Sequence, residues 1–183
     1  MVDSASQTPD KNRLPTWAIV VAFTALVGVC CAWPVSCFWQ AQMLARRTSS
    51  ISNLKQIGTA HAMYTEQHDG YGPPPDRWAD ALLAENDRLG FLHEYSKSYQ
   101  SDSHKAMFAY AYFRPLDGIA VSEVKNPAEV PLAFDSSDLR WNANGDLTLL
   151  PDPPRWLGTN LILFLDTSAR AVRETPVVAI KIP

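Results

Sequence analysis

The stretch from Trp17 to Trp39, WAIVVAFTALVGVCCAWPVSCFW, contains no charged residue. At 1.5 Å per residue a helix of this length covers a hydrocarbon core of roughly 30 Å with room for tilt. A chain in lipid has no water to satisfy its amides, so the run is expected to be helical. Its hydroxyls, Thr24 and Ser36, can bond back to their own helix. Trp17, Trp33 and Trp39 lie towards the two ends, where indole rings favour the membrane interface. Pro34 removes one backbone hydrogen bond and predicts a bend in the last third. A secretory h-region is usually about 7–15 residues, so the run reads as an uncleaved anchor rather than a signal peptide. Pro34-Val35-Ser36-Cys37 faintly resembles a lipoprotein cleavage box, with proline a poor residue three places before the cysteine.

This run divides the chain. Residues 1–16 are polar and read as a disordered tail; 17–39 as a transmembrane helix; 40–68 as its continuation outside the membrane; 69–183 as one α+β domain. The net charge of −3 gives no reason to expect nucleic acid as a partner. The three cysteines, Cys30, Cys31 and Cys37, all fall inside the apolar run, where they act as small hydrophobes. Thiol chemistry and Cys-ligated zinc are thereby excluded from the outer domain.

Beyond the anchor, Ile51, Leu54, Ile57 or Gly58, His61 and Tyr64 recur every three or four residues, the apolar stripe of a half-buried helix. Gly58 costs about 1 kcal/mol against Ala there, which points to close packing on another element. Asp69-Gly70-Tyr71-Gly72-Pro73-Pro74-Pro75 ends the helix. Asp76 is expected to cap a short helix over 77–85, with Trp78 and Leu82 as an i, i+4 pair. Residues 86–106 are mixed and polar, with no legible pattern. Strands are expected at 107–113, with Phe108, Tyr110 and Tyr112 on one face; at 131–135; at 161–165, joined through Asp166-Thr167-Ser168 to 169–173 as a hairpin; and at 177–182. Leu116-Asp117-Gly118 marks a turn, and 136–157 reads as a long loop with a turn at Asn144-Gly145-Asp146. The expected architecture is a small antiparallel sheet with the 51–64 stripe covering one face.

These features together resemble the type IV pilin and pseudopilin plan, in which a long N-terminal helix, membrane-embedded in its first half, packs on an antiparallel sheet. Ser52-Asn53-Leu54-Lys55-Gln56-Ile57-Gly58, then Met63-Tyr64 and Gly70-Tyr71-Gly72-Pro73-Pro74, are similar to a large bacterial family of prepilin-like proteins. That family carries an S-N-N-L-K-Q-I-G stretch, a nearby tyrosine and a Gly/Pro-rich turn. It often ends with a His, nine residues, then Asp-Gly; here Trp156 stands at the His position and Asp166-Thr167 at the Asp-Gly. The likeness covers roughly residues 33–75 and 126–173. Family members are cleaved after a glycine directly before the apolar run, and a glutamate within the run helps subunits assemble. This chain has no glycine before Gly28 and no glutamate in the run. The resemblance therefore implies a divergent, permanently anchored relative that prepilin peptidase does not process. Basic residues alone (Lys11 and Arg13 against Arg46, Arg47 and Lys55) would put the C-terminal side in the cytoplasm. The family topology puts the domain outside, and the expectation follows the family.

Candidate sites are few. Asp135, Asp138 and Asp146, with Asn142 and Asn144, offer the oxygen ligands that suit calcium, and some pseudopilins bind calcium in such a loop. The spacing departs from the EF-hand, and ordinary turn chemistry accounts for the same residues. His61 and His68 are seven residues apart, too far for two imidazoles to share one ion comfortably, and read as a packing and a helix-end histidine. Tyr110, Tyr112 and Phe113 read as sheet core. No nucleophile elbow, phosphate loop or dinucleotide fingerprint is present. The expectation is a non-enzymatic envelope protein without metal or cofactor. Its partners would be the lipid bilayer and other envelope, secretion or pilus-like proteins. The alternative is an anchored ligand- or metal-binding ectodomain, possibly enzymatic.

Overall fold

The computed structural model describes residues 15–85 and 108–178, with the side chains of 28–37 excepted. The chain divides into two compact units, 1–42 and 43–183. Helix α1 runs from Thr16 to Gln67. In the first unit Trp17, Ile19, Val20, Val21, Phe23, Leu26, Phe38 and Trp39 are all exposed. Among the described residues, no helix is long and apolar enough to cross a membrane. The expected span includes residues 28–37, and the bend is expected at Pro34 among them; the side chains there lie outside the described residues. The expected tail lies outside the described residues up to position 14, and Thr16 already belongs to α1.

The second unit is α+β. Helix α2 (Trp78–Glu85) follows a turn of 3₁₀ helix at Pro75–Arg77. Five strands follow: β1 (Tyr110–Phe113), β2 (Pro131–Asp135), β3 (Asn144–Gly145), β4 (Asn160–Phe164) and β5 (Ala169–Val172). They form one sheet in the order β3-β1-β2-β4-β5. Three pairings are antiparallel and the β1–β3 pairing is parallel, so the sheet is mixed and not antiparallel throughout. The connection after β2 passes β1 to reach the edge, and β3 then runs opposite to β2, which makes it parallel to β1. Asn144-Gly145, expected as a turn, is this short edge strand, with Asn144 opposite Tyr112 and Gly145 opposite Phe113. β1 starts three residues later than expected, and the other helices and strands lie within a residue or two of their expected places. The exception is the last strand: Val177 and Val178 are in no strand, and 179–182 lie outside the described residues, as do 86–107.

The stripe on α1 meets the sheet as its spacing predicts. Leu54, Ile57, Ala60, His61 and Tyr64 are buried. A Cβ on Gly58 would sit 3.2 Å from Leu163 Cδ1 and 3.3 Å from Thr167 Cβ, so the missing side chain is what lets helix and hairpin approach. Central strands β2 and β4 are buried at every position. Two buried faces explain why both read as short apolar runs without alternation. Trp78 packs its ring against Phe108 and Tyr112, joining α2 to the same core.

Candidate functional site

The five oxygen-bearing residues of the 135–146 segment are each engaged in hydrogen bonds, and two of them, Asn142 and Asn144, bond to each other. Asp138 forms a bidentate pair with Arg140, and this bond holds its carboxyl below the usual range. Asp146 accepts the Thr148 amide and hydroxyl, which lowers its carboxyl likewise, and starts a 3₁₀ turn at Leu147–Leu149. Asn144 Nδ2 donates to Asn142 O at 3.1 Å and reaches Asp76 Oδ1 at 3.4 Å.

Asn142 has a role that local sequence rules assigned to Asp76. Asp76 lies inside the 3₁₀ turn, and that turn has no side-chain cap. Instead Asn142 Oδ1 accepts from the Ala79 amide at 2.8 Å and from Asp80 N at 3.4 Å, closing the start of α2 from 63 residues away. Its Nδ2 donates to Asp80 Oδ2 at 2.6 Å, and Trp141 Nε1 donates to Asp80 Oδ1 at 2.8 Å. Asn142 takes a left-handed backbone, φ 58°, which Asn tolerates better than most residues. A polar cleft of about 390 Å³ opens here, lined by Asp76, Arg140, Trp141, Asn142 and Asn144. A second hollow, apolar and about 450 Å³, is lined by Phe113, Pro115, Leu147, Pro176 and Val178. Among the described residues, neither is lined by a histidine.

Asp135 is fully buried, with 0% exposure. Its Oδ2 accepts from Leu161 N at 2.7 Å and Trp156 Nε1 at 2.8 Å. Its Oδ1 accepts no hydrogen bond, and the nearest cation, Arg155 Nη1, is 3.8 Å away. Arg155 is occupied by carbonyls: Nη2 donates to Ser136 O at 2.6 Å and Nη1 to Ala109 O at 3.2 Å. Burial raises the Asp135 carboxyl to about 6, against the lowering effect of the Leu161 amide, Arg155 and Trp156.

Two polar pairs cross from α1 to β1. Ser50 Oγ and Tyr110 OH are 2.7 Å apart; His61 Nε2 and Tyr112 OH are 3.3 Å apart. Burial lowers His61 to about 4, so it is a neutral packing histidine, and burial raises Tyr112 well above the usual phenol range. His68 stacks on Tyr64 at 3.8 Å and its Nδ1 lies 2.8 Å from Tyr64 O at the helix end. Among the described residues, no three His, Cys, Asp or Glu side chains are grouped to hold a metal ion.

Sequence reasoning missed Asp80 and Arg155. Asp80 looks like any solvent-facing helix residue, and Arg155 sits in a proline-rich loop; neither carries a local signal of its distant partner. In comparisons with protein-family models, curated proteins and solved structures, nothing matches this chain.

Proposed function

We propose that this protein is a single-pass, membrane-anchored, pilin-like envelope protein that acts through protein–protein contacts and not by catalysis. The observation that carries the reading is the uncharged run from Trp17 to Trp39, whose large apolar side chains, where described, are exposed on α1. Exposed apolar surface of that extent needs a lipid or protein environment. Support for the pilin-like part comes from the Asn53-Leu54-Lys55-Gln56-Ile57-Gly58 stretch and from the stripe that lays α1 over the sheet. Without a glycine before the run or a glutamate within it, the chain stays uncleaved and permanently anchored. The domain after α1 faces away from the cytoplasm.

The deciding experiment is the N-terminal sequence and intact mass of the protein from native, carbonate-washed membranes. An intact start at Met1 or Val2, retained in the membrane pellet, is the expected result. Release by carbonate overturns the anchor. A methylated new N-terminus would instead make it a processed pilin subunit, and a lipidated Cys37 a lipoprotein. A reporter fused after Pro183 that is active only in the cytoplasm overturns the orientation.

A further inference from the structure

Between Leu14 and Thr65 the only Lys, Arg, Asp or Glu side chains are Arg46, Arg47 and Lys55. All three belong to α1, and no carboxylate on that helix precedes Glu66. Lys55 lines a hollow with Thr59, Asp166, Thr167 and Ser168, so an acidic group of the domain is at hand. The arginine pair differs. Among the described residues neither Arg46 nor Arg47 forms an ion pair or a side-chain hydrogen bond. Arg46 is exposed and Arg47 half-buried, and Arg47 Nε is enclosed yet donates to nothing. Position 47 also stands one turn before Ile51, on the line that continues through Leu54, Ile57 and His61 to cover the sheet. The stripe calls for an apolar residue there, and a guanidinium stands in its place.

We propose that Arg46 and Arg47 hold the phosphate groups of anionic phospholipids at the membrane face from which α1 emerges. The proposal rests on the anchored reading given above and names the lipid that the anchor prefers. Seven residues separate Arg46 from Trp39, the last of the uncharged run. Seven residues of helix rise about 10 Å. The headgroup layer on each side of the hydrocarbon is about 5–8 Å deep. Helical side chains lean towards the N-terminus, so guanidinium groups at 46 and 47 reach back from that height to the headgroups. A guanidinium presents parallel N–H donors that match two phosphate oxygens. In an anionic lipid that phosphate has no ammonium group of its own to pair with, whereas in a zwitterionic lipid it has one. Topology adds to the argument. With the domain facing away from the cytoplasm, two arginines close to the span stand on the side that ordinarily carries few. They oppose insertion in that orientation, and a lipid contact made after insertion offsets the opposition.

The test is native mass spectrometry of the delipidated full-length protein in neutral detergent, with equimolar phosphatidylglycerol and phosphatidylcholine added. Each arginine at a charged membrane surface is worth about fivefold, so phosphatidylglycerol should bind about 25-fold more tightly than phosphatidylcholine. Arg46→Gln and Arg47→Gln should each lose about fivefold of that preference and the double variant all of it, while Lys55→Gln should keep it. Equal binding of the two lipids by the unaltered protein overturns the proposal, as does an undiminished preference in the double variant. If Arg47→Gln does not fold, the exposed Arg46 decides: an undiminished preference in Arg46→Gln refutes the contact. If inorganic phosphate at equal concentration displaces phosphatidylglycerol, a free anion is the ligand and the lipid is not. Failure of the anchor reads out separately, as release by carbonate, so an anchored protein without a lipid preference refutes this inference alone.

Discussion

Replacing Asn142 tests whether one loop side chain organises the start of α2. Two separable contributions are at stake. The first is the cap: Oδ1 satisfies the Ala79 amide at 2.8 Å, and removing an N-cap oxygen costs about 1 kcal/mol. The second is the backbone: φ 58° is tolerated by Asn and Gly, but a residue with an ordinary Cβ pays about 1 kcal/mol there. Asn142→Ala loses both and should be about 2 kcal/mol less stable. Asn142→Gly keeps the backbone fit and loses the side-chain bonds, the cap and the exposed one to Asp80, and should fall by about 1 kcal/mol. For a domain of this size each kcal/mol moves Tm by roughly 2–4 °C, so the alanine variant should melt about 4–8 °C lower.

The assay is urea and thermal unfolding of the full-length protein, followed by far-UV circular dichroism and by tryptophan emission. Trp78, whose Nε1 donates to Ala143 O, and Trp141 both report on this corner. If Gly and Ala cost the same, the left-handed backbone carries no strain and that half of the reasoning fails. If Gly costs nothing, the cap contributes nothing. If chelation by EDTA lowers the unaltered protein to the level of the variants, a bound calcium ion and not the cap holds the loop.

Two further outcomes follow from buried groups. His61 titrates near 4 in the fold against an ordinary 6.5, so its contribution to stability is lost as pH falls from 6.5 towards 4. Asp135 titrates near 6 against an ordinary 3.8, so its contribution is lost as pH rises from 3.8 towards 6. At about 1.4 kcal/mol per unit each amounts to about 3 kcal/mol, in opposite directions, so urea midpoints of the unaltered protein should be nearly flat between pH 4 and 6. His61→Gln should then lose stability as pH rises through that window, and Asp135→Asn as pH falls; slopes of the same sign in both variants would contradict this account. At Gly58, valine must displace Leu163 and Thr167 and should cost about 2–3 kcal/mol in urea unfolding, while alanine, whose gain in helix propensity offsets a smaller push, should stay within about 1 kcal/mol of the unaltered protein.

The parts of the fold legible in the sequence are those set by local pattern. The stripe from Ile51 to Tyr64, the stop at Asp69-Gly70, and the runs at 131–135 and 160–164 each carry their own periodicity or punctuation. Gly58 was readable as a contact point because its cost inside a helix has no local return. The misplaced features have distant causes. Asn144-Gly145 has the composition of a turn, yet it pairs with β1 because a segment more than thirty residues away supplies an edge. Asp76 sits where a cap should, but Pro74 and Pro75 tighten the chain into a 3₁₀ turn and leave α2 to start at Trp78.

The same reasoning explains what the residues weighed as calcium ligands do in the fold. Asp and Asn accumulate where backbone amides lack partners, whether the remedy is an ion or a side-chain cap. The amides that side chains of the 135–146 segment satisfy are those of α2, of the turn after Asp146 and of Leu161. Three separate needs draw three separate side chains, and spacing along the chain carries no information about which need each one meets. Asp135 differs from the others because its need is only half met. One oxygen holds β4 and the 151–159 connection together, and the other is left without a donor at the centre of the domain. Nearly every other buried polar side chain described is satisfied, so this carboxylate, with Arg155 3.8 Å from its second oxygen, is where the domain leaves a need to electrostatics rather than to a hydrogen bond.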